Sequence, residues 1–93
     1  MTPDKVREDI SLYRAYFVEH DIEEIEYHHE QIVYSPQDTL GHCHGMLDKI
    51  LDFIRAGRIE ETFMWLGFIQ GCLWAEGVYT IAELQDHNRP DRG

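Results

Sequence analysis

The sequence is short of the features that stabilise secreted domains or anchor a chain in a membrane. It contains two cysteines among 93 residues. Because Cys43 and Cys72 both fall in apolar runs with helical spacing, and nothing resembles a signal peptide, we expect free, buried thiols in a reducing compartment. The longest apolar run, residues 65–75, is interrupted by two glycines and a glutamine and falls short of the ~20 residues of a membrane span. We therefore expect a cytoplasmic protein that makes no membrane contact.

Basic residues are also scarce. Eight Lys and Arg stand against 18 Asp and Glu, which gives a formal net charge of −10 and a pI near 4.8. Direct binding to nucleic acid needs a basic surface, so this composition argues against it. An acidic surface can cover the basic face of another protein, or it can simply keep a small protein soluble. Composition leaves both of these roles open.

The residues that would make an enzyme are few. The only serines are Ser11 and Ser35, and Ser35 has the position of a helix cap. The glycines fall inside or at the ends of predicted helices, so no phosphate-binding loop is present. Cys43 and His44 are neighbours in a predicted helix and point apart, which rules them out as a nucleophile and its base. We expect no enzymatic activity and no cofactor.

What the sequence does contain is helical periodicity bounded by cap and stop signals. Start signals stand at Thr2-Pro3, Ser35-Pro36 and Thr80 with Glu83, and glycine stops stand at Gly57 and Gly77. They predict helices over residues 3–20, 36–56, 59–76 and 81–87. The fold class is therefore all-α, a small bundle built on an antiparallel hairpin of the two middle helices and completed by self-association.

The chain forms a single domain with three parts: an acidic N-terminal helical region (1–34), the hairpin (35–77), and a short C-terminal helix with its tail (78–93). Residues 19–30 carry six carboxylates and no Lys or Arg. Asp21 with Glu24 has the spacing of a capping box, and isoleucines follow at helical spacing. We therefore predict a second helix, or a kinked continuation of the first, through about Val33.

The second hairpin helix is apolar on almost every side over residues 63–75. A helix without a polar face is buried all round, and a chain this short cannot surround one, so we expect a second copy to cover it. Small residues four apart on this helix, and at Gly41 and Gly45 on the preceding one, would let helix backbones approach closely. The expected oligomer interface consists of Met64, Gly67, Phe68, Gly71 and Ala75.

Histidines raise the question of a metal site. His42 and His44 flank Cys43, but in a helix their side chains diverge by about 160°, so they cannot share one ion. Glu26 and His29 have the E-x-x-H spacing of di-iron bundles, with His28 beside them, but such a site needs a second set of ligands from another copy. A metal-binding bundle that uses Glu26, His28 and His29 is a minor alternative.

The segment "FMWLGFIQGCLWAEGVYTIAELQDHNRP", residues 63–90, is similar to a pattern of small accessory proteins of tailed bacteriophages. In that pattern a W-L-G-F-x-Q-G-x-L-W helix precedes Y-T-x-x-E-L and H-N-R. The resemblance covers about the last third of the chain, with a weaker echo in residues 40–58. It implies a phage-encoded protein that acts in the bacterial cytoplasm and binds a host enzyme, transcription factor or defence system. It transfers no site residue.

Charge and resemblance together predict a small non-enzymatic protein that binds and inhibits a host protein, in host takeover or counter-defence, including by mimicry of DNA. The acidic N-terminal region would face the host partner. The expected partner-binding residues are Glu19, Asp21, Glu23, Glu24, Glu26, Tyr27, Glu30 and Tyr34. An alternative is a sponge that sequesters a nucleotide defence signal. Its phosphate-binding candidates are Arg55, Arg58, Arg89 and Arg92.

Overall fold

The computed structural model describes residues 1–26 and 35–89. Within these ranges the chain forms four helices and no strand: α1 (Pro3–Glu19), α2 (Pro36–Arg55), α3 (Ile59–Ala75) and α4 (Ile81–His87). The all-α class is confirmed, and each of these helices begins and ends within one residue of its prediction.

Three of the four helices begin at the predicted side-chain caps. The Thr2 hydroxyl accepts a hydrogen bond from the Lys5 N–H at 3.2 Å, and the Ser35 hydroxyl accepts one from the Asp38 N–H at 3.1 Å. Thr80 and Glu83 form a reciprocal capping box. These caps satisfy backbone donors that have no partner inside the helix, which explains why local sequence located the helix starts well.

The end of α1 corrects the prediction of a second helix after Asp21. Asp21 adopts a left-handed conformation (φ 55°). Its N–H donates to the Val18 carbonyl at 3.2 Å, while the Ile22 N–H donates to the Phe17 carbonyl at 2.8 Å. This hydrogen-bond pair terminates a helix and is usually centred on glycine, as at Gly57 and Gly77 here. Residues 22–26 are not helical, and residues 27–33 of the predicted helix lie outside the described ranges.

The core forms where α1 and α3 pack on α2. The short turn at residues 56–58 joins α2 to α3, and the His42 ring, early in α2, lies edge-on to Phe68 in the second half of α3, as the predicted antiparallel hairpin requires. The fully buried apolar side chains of the core come from α1, α2 and α3. They are Val6, Ile10, Tyr13, Phe17, Cys43, Leu47, Ile50, Leu66, Ile69 and Leu73.

A buried polar network fastens α4 to α1 and α3. The Tyr13 hydroxyl accepts a hydrogen bond from the Gln70 amide at 3.0 Å and lies 2.9 Å from Nδ1 of His87. The Gln70 and Asn88 amides exchange two hydrogen bonds at 2.8 and 3.1 Å. Tyr79 packs edge-on against the His87 ring. The network satisfies polar groups that would be costly to bury alone, and it joins residues far apart in sequence.

Candidate interaction surfaces

The acidic segment that follows α1 is fixed across the face of α2. The Ile25 N–H donates to the Gly41 carbonyl at 2.9 Å. The His44 ring donates from Nδ1 to the Ile22 carbonyl at 2.7 Å, since a carbonyl oxygen can only accept. Residues 22–26 are therefore held in place by α2 although they have no regular secondary structure.

The two glycines of α2 make this contact possible. A Cβ on Gly41 would lie 2.6 Å from Cδ1 of Ile25 and 2.9 Å from the Glu23 carbonyl oxygen. A Cβ on Gly45 would lie 2.8 Å from the Ile25 carbonyl oxygen. The prediction of close backbone approach at this pair is right, but the approaching backbone is a non-helical segment of the same chain and not another helix.

The five described carboxylates of the predicted partner surface are all exposed: Glu19, Asp21, Glu23, Glu24 and Glu26. Two of these carboxylates form ion pairs: Glu24 lies 3.8 Å from Arg14, and Glu26 lies 3.1 Å from Lys49. Glu19, Asp21 and Glu23 have no ion pair among residues 1–26 and 35–89. The other predicted partner residues, Tyr27, Glu30 and Tyr34, lie outside the described ranges.

Helix α3 is covered on one side only. It buries Thr62, Leu66, Ile69, Gln70 and Leu73. The opposite side is open and apolar: Met64 is 58% exposed, Phe68 48% and Trp74 54%. Within the single chain α1, α2 and α4 reach this helix from one direction, in line with a chain too short to surround it, and burial of the open side by a second copy stays a prediction.

All five predicted interface residues, Met64, Gly67, Phe68, Gly71 and Ala75, are exposed and lie on this open side, which we call the α3 outer face. Apart from its chain neighbours and the backbone of its own helix, no described atom comes within 4 Å of a Cβ built on Gly67 or Gly71. Trp74 belongs to the same face and was missed. Its position three residues after Gly71 and ten after Met64 was the signal that could have found it.

The side chains of His42, Cys43 and His44 point only partly in the predicted directions. Cys43 and His44 point into the core. His42, expected near the back of the helix, is half-buried and lies edge-on to Phe68 of α3. No three His, Cys, Asp or Glu side chains cluster as metal ligands within the described residues. Glu26 is paired with Lys49, and the other metal candidates, His28 and His29, lie outside those ranges.

The arginines proposed for a phosphate site sit beside carboxylates of neighbouring turns. The pairs are Arg55–Asp52, Arg58–Glu61 and Arg89–Asp86, while Arg92 is outside the described part of the chain. The Arg58 guanidinium also lies 5.2 Å from the centre of the Phe53 ring. These neighbours reduce the positive potential that the hairpin turn could offer to a phosphate.

Comparison of the chain with protein-family models found no match, and comparisons with curated proteins and with solved structures found no significant match. None of the helices in the described ranges has the length and apolar character needed to cross a membrane.

Proposed function

We propose that this chain is a non-enzymatic protein-binding protein that pairs with a second copy through the α3 outer face. One observation carries the proposal: an apolar face with Met64, Phe68 and Trp74 exposed on a helix that is well packed on its other side. Exposed apolar patches on soluble proteins mark interaction sites.

The α3 outer face is the part of the surface where two copies can meet without charge repulsion. The chain carries a net charge of −10, so two copies repel each other over most of their surfaces. Residues 62–75 contain no charged side chain, and contact between two α3 outer faces therefore brings no carboxylates together there. The space beside Gly67 and Gly71 can receive Phe68 or Met64 of the other copy, which makes the face complementary to itself.

The molar mass of the chain in solution tests the pairing. We expect the wild type to have a molar mass of at least two copies of the 11.0 kDa chain. Met64→Glu should lower it to a single chain, because it places a charge in the apolar contact. Val18→Glu is the matched control, since Val18 is also an exposed apolar helix residue, on α1. A wild type that has the mass of one chain at every concentration would refute the pairing.

We further propose that the acidic segment, residues 19–26, binds a basic surface of a host protein and inhibits it. The contacts of Ile25 and Ile22 with α2 support this, because they fix the exposed carboxylates before any partner arrives. The resemblance of residues 63–90 to phage accessory proteins suggests that the host is a bacterium.

Charge reversal tests the acidic segment. We expect a variant with Glu19, Asp21 and Glu23 changed to lysine to lose a protein that the wild type captures from bacterial lysate at low salt, since surface electrostatic attraction is screened by salt. The control changes Glu8, Asp52 and Glu60 to lysine, which alters net charge equally at exposed sites elsewhere. Equal capture by the two variants would contradict the proposal. Competitive displacement of the captured protein by duplex DNA would establish mimicry of DNA.

A further inference from the structure

Four exposed residues of α3 form a narrow stripe with a regular spacing. They follow one another at intervals of three, four and three residues: Met64, Gly67, Gly71 and Trp74. Since each residue of an α-helix turns by about 100°, the four positions fall within about 80° of one another. Alternating intervals of three and four residues are typical of the seam along which two helices of a coiled coil meet. The α3 outer face thus has the pattern of one half of a helix pair.

The two glycines indicate where along α3 a second helix can approach most closely. The space beside both is open within the part of the chain that the structure describes. In a symmetric pair of antiparallel helices, closest approach at both glycines puts the twofold axis midway between them, level with Ile69. Met64 comes five residues before this level and Trp74 five residues after it. Each therefore lies about 7.5 Å from the axis along the helix, in opposite directions.

Charge favours one of the two directions in which the paired helices could run. In a parallel pair each residue meets its own copy, so the exposed carboxylate of Glu60, one turn before Met64, would face the same carboxylate of the other chain. In an antiparallel pair Glu60 lies beside the turn that follows α3, where residues 77–82 have no charged side chain. Antiparallel helices also set the positive end of each helix dipole beside the negative end of the other.

We propose that two copies of this chain pair through antiparallel α3 helices, and that Met64 of each copy packs on the Trp74 indole of the other. This inference rests on the proposed pairing through the α3 outer face and adds its direction and its central contact. Met64 is 58% exposed and Trp74 54%, so both side chains can be reached in the single chain. A methionine thioether is flexible and polarisable and packs favourably against an aromatic ring. The contact occurs twice, once on each side of the twofold axis.

The experiment measures the molar mass in solution of mixed full-length variants. Met64→Glu and Trp74→Lys alone should each have the mass of one chain, because each sets a charge against an apolar side chain in both contacts. Mixed in equal amounts, they should form pairs with twice the 11.0 kDa chain mass, one chain of each kind. One contact then joins the introduced carboxylate to the introduced ammonium group, and the other is the native contact of methionine with tryptophan.

A second mixture is the matched control. It keeps Trp74→Lys and combines it with Trp74→Glu, so that only the position of the carboxylate differs. Antiparallel helices set both charges against Met64 of the opposite copy, and this mixture should stay as single chains. Parallel helices would join the two charges, so pairing in the second mixture would overturn the antiparallel direction.

The remaining outcomes separate this inference from the pairing on which it rests. If neither mixture pairs while the wild type does, the contact between Met64 and Trp74 is overturned and the pairing of two α3 outer faces stands. The same conclusion follows if Met64→Glu or Trp74→Lys alone keeps the mass of two chains. A wild type with the mass of one chain at every concentration would refute the pairing itself.

Discussion

Two pairs of glycines with the same four-residue spacing have opposite surroundings in this molecule. On α2, Gly41 and Gly45 are pressed against residues 23–25, with carbonyl oxygens and the Ile25 side chain inside the space of a Cβ. On α3, no packed neighbour lies beside Gly67 or Gly71 within the part of the chain that the structure describes. The first pair already has its occupant within the chain, and the second has none among the described residues.

The difference shows what glycine spacing can and cannot reveal. Glycine inside a helix costs up to about 1 kcal/mol relative to alanine, so a pair of glycines indicates that something offsets the cost. At Gly41 and Gly45 this cost is offset by the close packing of residues 23–25 against α2. By the same reasoning, the uncovered pair on α3 supports the proposal that a second copy binds there.

The largest effect should come from Gly45→Ala. The added methyl would lie 2.8 Å from the Ile25 carbonyl oxygen, a backbone atom that cannot turn away. We expect a loss of about 1–3 kcal/mol in the free energy of unfolding, as is usual for overpacking, measured by urea denaturation. Stabilisation by this change would show that residues 22–26 are not held against α2.

A double-mutant cycle between Gly41→Ala and Ile25→Ala should give a smaller effect. The nearest atoms to a Cβ on Gly41 belong to the Ile25 side chain. We therefore expect Gly41→Ala to cost about 1 kcal/mol less when Ile25 is already alanine, a coupling within the range for residues in contact. If the effects of the two substitutions on the unfolding free energy simply add, the Ile25 side chain is not the group that opposes a methyl at position 41.

The smallest effect, and one of opposite sign, should come from Gly71→Ala. No described atom lies near the added methyl, so the higher helix propensity of alanine should raise the unfolding free energy by up to about 1 kcal/mol in the single chain. The gain should shrink as protein concentration rises if a second copy packs on this glycine. A loss of stability in dilute solution would mean that the α3 outer face is covered within the chain itself.

The helices could be predicted because their signals are local. Thr2, Ser35 and Thr80 are followed by the backbone N–H groups that they cap, and Gly57 ends α2 where a left-handed residue was needed. Asp21 misled the prediction because aspartate is common at helix starts, whereas here it takes the left-handed position at a helix end. Contacts with α2 decide between these roles, and they come from residues about twenty positions away.

The sequence predicted the apolar and small residues of the α3 outer face, but not which side of the helix the rest of the fold leaves exposed. An apolar helix with small residues every four positions shows that one face meets something closely. Which face remains open depends on where α1, α2 and α4 pack, and this is a property of the whole fold. The network of Tyr13, Gln70 and His87 was not predicted for the same reason, since its members are separated by 17 to 74 positions.

The attachment of α4 has a consequence for the order of events during synthesis. Tyr13 is made early and becomes fully buried, but its hydroxyl lies against Gln70 and His87, which are translated later. A nascent chain that has α1, α2 and α3 can form the hydrogen bond between Gln70 and Tyr13, but it still lacks His87 and Asn88, which complete the network. The polar network around Tyr13 therefore becomes complete only after residues 87 and 88 have left the ribosome.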